Sequence, residues 1–138
     1  MRRIIALDIG TVRIGVAVSD PLGLFAQGLT VLDAKSDWLG ELAKITEQYD
    51  SPMLLIGMPR RTDGSEGPEA ERMRETAKMI ADHLPALETE FWDERFTTTI
   101  AQQALLEADV SRAGRKKRVD KIAATLLLQS YLDRKNKK

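Results

Sequence analysis

The residue that most constrains how this chain can fold is Asp8, an acid inside the run Ile4-Ile5-Ala6-Leu7-Asp8-Ile9. The run is otherwise apolar and of strand length. An ionised side chain buried in it would cost several kcal/mol unless a metal ion or a catalytic role compensates it. Gly10 permits a tight reversal, and Ile14, Val16 and Val18 resume alternation, so the opening residues are predicted to form a hairpin with Asp8 near its turn. Whatever partners Asp8 must come from elsewhere in the chain.

The 138 residues suit a single domain over 1–138. A chain of that size buries roughly two-thirds of the surface its unfolded form exposes. With no cysteine there can be neither a disulfide framework nor a thiolate metal site, and the chain suits a reducing cytosol. The N-terminus passes from Met-Arg-Arg straight into a short strand-like run, well under the roughly 18 apolar residues of a membrane span. The expectation is a cytoplasmic protein without membrane contact. Formal charge is zero overall but unevenly placed: residues 112–138 carry ten Lys or Arg against two Asp, leaving 11 basic against 19 acidic in the remainder. Such asymmetry suits a polyanion contact on one face, while the last five residues read as a solubilising tail.

Beyond the hairpin, Asp20-Pro21-Leu22-Gly23 is a turn and residues 27–32 supply a third strand. Asp37 is a candidate N-cap for a helix striped by Trp38, Leu42, Ile45 and Tyr49, which Ser51-Pro52 ends before the buried strand 53–57. Residues 57–68 form a turn-rich loop at that strand's carboxyl end, where open α/β sheets often carry function. Ala70, Met73, Ala77, Ile80 and Leu84 mark a long helix stopping before Pro85, and residues 88–92 form the last strand. Thr97 or Thr98 can cap a helix buried through Ile100, Ala101, Ala104 and Leu105. A final helix is striped by Val119, Ile122, Ala123, Leu126, Leu127 and Tyr131.

Three acids stand beside core elements: Asp8 in the first strand, Glu94 at the end of the last strand, and Asp120, expected on the first turn of the last helix. Converging carboxylates suit Mg²⁺ or Mn²⁺, whereas His83 as the only imidazole disfavours zinc. Taken singly, Asp120 would be ordinary at a helix N-terminus, and Glu94 ordinary in a surface pair with Arg95 or Arg118. Arg112, Arg115, Lys116, Lys117, Arg118 and Lys121 surround Asp120, a placement suited to holding phosphates beside the acids. Arg60 and Arg61 are second-tier candidates, and Trp38 and Trp92 fit packing faces better than base stacking.

Four blocks, in order and over nearly the whole chain, carry a resemblance. They are Asp8-Ile-Gly-Thr-Val-Arg-Ile-Gly-Val-Ala-Val-Ser-Asp; Gly57-Met-Pro-Arg with Asp63-Gly-Ser-Glu-Gly; Asp93-Glu-Arg-Phe-Thr-Thr; and Val119-Asp-Lys-Ile-Ala-Ala with Leu128-Gln-Ser-Tyr-Leu. Together they resemble the YqgF family of RNase H-like nucleases, described as pre-16S rRNA nucleases or Holliday junction resolvase-like proteins. The chain departs from the family pattern at Val12, where Lys is usual before Arg13, and at Phe96, where Leu is common.

The resemblance implies an α/β, RNase H-like fold: a five-stranded mixed sheet, three antiparallel strands then two parallel ones, with helices on both faces. It assigns Asp8, Glu94 and Asp120 to the family's acidic triad, with Asp8 bridging two divalent ions in phosphodiester cleavage. It implies a nucleic-acid partner, a ribosomal RNA precursor or branched DNA, with Arg13 among the phosphate contacts. The leading reading is a metal-dependent nuclease processing the small-subunit ribosomal precursor. Its nearest rival is a Holliday junction resolvase, which would need a homodimer matching the two-fold junction. From other classes come a non-catalytic ribosome-associated binder and an actin-like ATPase fragment, the latter because Asp-Ile-Gly-Thr also resembles a phosphate loop.

Overall fold

The computed structural model describes residues 3–59, 66–93 and 112–136, the stretch 112–120 by its backbone alone. In chain order the elements are β1 (Ile4–Ile9), β2 (Arg13–Ser19), β3 (Ala26–Asp33), α1 (Trp38–Gln48), β4 (Met53–Met58), α2 (Pro68–His83), β5 (Glu88–Asp93) and α3 (Arg112–Asn136). The strands form one sheet in the order β3-β2-β1-β4-β5. The pairs β1/β2 and β2/β3 are antiparallel, and β1/β4 and β4/β5 are parallel. This is the sheet that the resemblance implies. The expected helix near residues 97–105 lies outside the described residues, as do Arg60, Arg61 and Glu94.

The central strands are apolar on both faces because both faces are covered. Ile5, Leu7, Ile14, Val16, Leu54 and Ile56 pack under α1 and α2, through Trp38, Leu42, Met73, Ala77 and Ile80. Ile4, Ala6, Ala17 and Leu55 pack on the opposite face against Ala124, Leu127, Leu128, Tyr131 and Leu132 of α3. Each fully buried Leu or Ile in these layers stabilises the fold by roughly 1.5–3 kcal/mol relative to exposure.

Local chemistry sets the boundaries. Asp37 caps α1 by accepting the Gly40 N–H at 3.2 Å. Pro68 opens α2, which ends at His83, ahead of Leu84 and Pro85. At the β2–β3 turn the Asp20 carboxylate accepts the N–H groups of Leu24 at 2.8 Å and Phe25 at 3.0 Å. These bonds, Phe25's foremost, hold its carboxyl below the usual carboxylate range. At the other end of β2, Ser19 is fully buried and its Oγ accepts the Ile4 N–H at 2.8 Å.

One boundary corrects the sequence reading. The last helix begins at Arg112, so Asp120 lies two turns inside it rather than on its first turn. The helix dipole acts within the first turn, which removes the electrostatic explanation for an acid at this position. The basic run, with Arg112, Arg115, Lys116, Lys117 and Arg118, is therefore helical backbone. Arg, Lys and Ala have high helix propensity although they show no apolar periodicity there.

Candidate functional site

Asp8 is the penultimate residue of β1 and is half-buried, opening onto the carboxyl edge of the parallel strands. The sequence alone points to an acid sealed in a strand. Its position near the edge lowers the desolvation cost, and it carries interactions of its own.

The register decides what surrounds it. Asp8 pairs with Gly15 of β2. On its other side the parallel register runs Leu7 to Ile56, and one step further places Gly57 of β4 beside it. Gly57 in turn pairs with Trp92 of β5. Asp8 is thus flanked on both neighbouring strands by residues without side chains, which leaves lateral room on its sheet face. Side chains alternate along a strand, so Asp8 shares its face with Ile4 and Ala6, the face covered by α3. Trp92, in the same row, packs on that face too. Its Nε1 donates to Ser130 Oγ at 3.2 Å, and its ring meets Tyr131 edge to face with centroids 5.3 Å apart. Tyr131 donates to Glu90 at 3.1 Å. Burial, reinforced by the Glu90 carboxylate, pushes the Tyr131 phenol up to about 12.

The hairpin closes through the Gly10 N–H donating to the Arg13 carbonyl at 2.9 Å. A Cβ at residue 10 would lie 2.8 Å from that oxygen, so the turn requires glycine. Arg13 then starts β2 half-buried, on the face of Gly15 and Ala17, that is, the face of Asp8. With Thr30, Val31, Asp33 and Lys121 it lines a groove of about 630 Å³ between the strand ends and α3. Lys121 lines this groove with its stem over Gly28 of β3, where a Cβ would lie 2.9 Å from Lys121 Cγ.

Of the predicted site residues, the structure brings Asp8 and Arg13 to one face and one edge. Asp120 and the basic residues 112–118 are placed by backbone only, on the helix covering that face. Glu94, Arg60 and Arg61 lie outside the described residues. Among the described residues no three His, Cys, Asp or Glu side chains gather into a metal-binding group. His83, the only imidazole, ends α2 with Nδ1 3.3 Å from the Met79 carbonyl. Because α2 runs from the carboxyl end of β4 towards the amino end of β5, His83 sits away from the Asp8 edge. Sequence reasoning missed the flanking glycines. The signal was present in the hairpin, since pairing Ile9 with Ile14 puts Gly15 opposite Asp8. Among the described residues no helix is long and apolar enough to cross a membrane.

Comparison with known proteins gives a consistent result. Two relatives from Clostridium botulinum, strains Hall and Eklund 17B, carry the name "Putative pre-16S rRNA nuclease". Both are 48% identical to this chain, over 95% of it and 96% of the first relative, and over 98% of it and 99% of the second. Among solved structures, the Fowlpox virus resolvase complexed with its substrate Holliday junction DNA is similar with a TM-score of 0.61 at 13% identity. That match covers 98% of this chain and 99% of the other. T. thermophilus RuvC in complex with a Holliday junction substrate matches at 0.55 and 11% identity, over 99% and 97%. At such identities these two likenesses concern the fold, the RNase H-like architecture of the resolvases. A family model described as "RuvX: Holliday junction resolvase" matches residues 2–134. Nearly the whole length is therefore accounted for by one family, the one whose motifs the four sequence blocks resembled, and the chain belongs to the RuvX family.

Proposed function

We propose that this protein is a divalent-metal-dependent nuclease that hydrolyses phosphodiester bonds in structured nucleic acid, and that its substrate is the precursor of small-subunit ribosomal RNA. The observation that carries the reading is the setting of Asp8, a carboxylate at the carboxyl edge flanked by Gly15 and Gly57, on the face that α3 covers. Asp120, placed by its backbone, precedes the fully buried Ala124 of the same helix by four residues. Glu94 follows the last residue of β5, Asp93, in the sequence, and its place in the site rests on the family motif.

The donor set is all oxygen, which suits a hard cation such as Mg²⁺ or Mn²⁺. Asp8, Glu94 and Asp120 would hold it. Divalent ions bound there supply activation of the attacking water and neutralisation of the leaving oxygen. The chain itself binds and orients. Arg13 and Lys121 hold phosphates in the groove on the same face, and Arg112, Arg115, Lys116, Lys117 and Arg118 extend the cationic surface along α3, with Arg60 and Arg61 as further contacts.

The names of the curated relatives favour ribosomal RNA. A four-way DNA junction is the second reading, supported by the family description and by the substrate in both structural neighbours. It would require a homodimer presenting two sites. The test is cleavage of labelled precursor RNA and of four-way junction DNA, with Mg²⁺, with Mn²⁺ and with chelator, by wild-type protein and by Asp8→Asn. The expected outcome is metal-dependent cleavage of the RNA, abolished by Asp8→Asn, with the melting temperature of the variant equal to or above wild type in chelator. Cleavage of the junction alone would transfer the assignment to the resolvase. Cleavage by Asp8→Asn at the wild-type rate would remove Asp8 from the site.

A further inference from the structure

On the sheet face opposite α3, a second cleft of about 420 Å³ reaches the same acid from the other side. One wall is the segment around Asp8 and Thr11 together with Trp38 at the start of α1, and the other is α2. Helix α2 buries Ala70, Met73, Ala77 and Ile80 in the core, and the neighbouring stripe Glu69, Arg72, Thr76 and Met79 lines the cleft. The volume is that of a small-ligand site, and the position, outside the carboxyl ends of parallel strands, is where open α/β sheets receive ligands.

Its chemistry restricts the occupant. Trp38 and Met73 supply apolar surface to the two walls, and Met79 is a large apolar side chain left 39% exposed at the cleft. Arg72 offers a planar cation on which an aromatic ring can stack, Thr11 offers a donor, and Glu69 and Thr76 offer acceptors for a ring's edge, the Thr76 hydroxyl proton being given to the Arg72 carbonyl at 2.9 Å. A ligand that is mainly anionic is disfavoured, because the one guanidinium of the lining, Arg72, is offset by the Glu69 carboxylate. What fits is a neutral heteroaromatic ring with any phosphate outside, at the Asp8 end.

We propose that this cleft takes a single unstacked nucleobase, from the nucleotide whose phosphate lies at Asp8. The inference rests on the nuclease reading for that phosphate. It deepens the reading by specifying the substrate as nucleic acid that is unpaired at the cut, since a base held in a duplex stack cannot enter the cleft.

Trp38 reports on the cleft directly. Among the two tryptophans, Trp92 packs on the other face of the sheet, so Trp92→Phe leaves Trp38 as the sole indole. Emission is titrated with the four nucleoside 5′-monophosphates, with ribose 5-phosphate and with inorganic phosphate. If Trp92→Phe does not fold, calorimetric titration of the wild-type chain takes its place. The expected result is a saturable response to at least one monophosphate and none to the two base-free probes, weakened at least about fivefold by Arg72→Ala and by Thr76→Val. In a second arm, Asp8→Asn binds precursor RNA carrying 2-aminopurine beside the cut, and fluorescence rises as the base unstacks, less so when Arg72→Ala is added. Equal responses to ribose 5-phosphate, or no response to any nucleotide, overturn the proposal. Cleavage by the wild type without either response removes the cleft and leaves the nuclease reading standing. Base-dependent binding without cleavage of any substrate keeps the cleft as a nucleotide site and removes the nuclease reading.

Discussion

Gly28→Ala tests whether the seat of α3 on the sheet sets the geometry of the candidate site. A methyl group at residue 28 would lie 2.9 Å from both Lys121 Cγ and Thr125 Oγ1, and 3.1 Å from Lys121 Cε. Ordinary contact begins at 3.4 Å, so about half an ångström must be found. The lysine stem can swing aside. Thr125 cannot do so readily, because its χ1 is stiff and its hydroxyl donates to the Lys121 carbonyl at 2.8 Å. The relief is therefore a shift of α3, which lies across β3, β2 and β1 as one rod and carries Asp120 five residues upstream of Thr125. Overpacking of this kind costs about 1–3 kcal/mol, offset by roughly 0.4–1 kcal/mol from the less flexible unfolded chain. The net loss should lower the melting temperature by a few degrees. Activity should fall further than stability implies, since a displacement of about 1 Å at a catalytic group can cost about a hundredfold and half of that roughly tenfold. Adding Thr125→Ala removes the clashing oxygen and should restore most of the rate relative to Thr125→Ala alone. Thermal melts and single-turnover cleavage of precursor RNA measure both effects. The reasoning is refuted if Gly28→Ala leaves melting temperature and rate at wild-type values, or if Thr125→Ala fails to restore the rate.

Three further outcomes follow from other parts of the structure. Ser19→Ala leaves the Ile4 N–H without its buried acceptor and should cost about 1–3 kcal/mol in chemical denaturation, with m unchanged; no loss would mean that another group takes the bond. Tyr131, with its folded pKa raised from 10.0 to about 12, contributes stability that is complete below pH 10 and lost as pH rises through 12. Ultraviolet titration in a Tyr49→Phe background should show the high value, and Glu90→Gln should lower it; an unshifted phenol would discount the Glu90 bond. Replacing Arg115, Lys116 and Lys117 together by Ala should weaken nucleic-acid binding and reduce the salt slope by about one unit for each phosphate no longer neutralised, while turnover at saturation largely survives. Wild-type affinity and slope would move the binding surface to Arg13, Arg60 and Arg61.

The sequence by itself determined the elements whose signal is local. Apolar runs made β1 and β4 legible as central strands, Gly10 marked the hairpin, Asp37 marked the cap of α1, and Pro85 bounded α2. The four ordered motifs were enough to identify the family. Asp8 stood out because an acid in an apolar run is energetically anomalous wherever the run is placed. Tertiary structure decided what depends on pairing between distant segments. The row Gly15, Asp8, Gly57, Trp92 exists only once the antiparallel and parallel registers are both set, and a slip of one residue would turn Asp8 to the other face. The start of α3 at Arg112 was hidden because its first two turns lack the apolar periodicity used to locate helices. Neither composition nor spacing could show that Gly28 seats Lys121, or that the cleft between Trp38 and Arg72 ends at Asp8. Those are contacts between elements far apart in the chain, chosen by which faces the two helix layers cover rather than by any local preference.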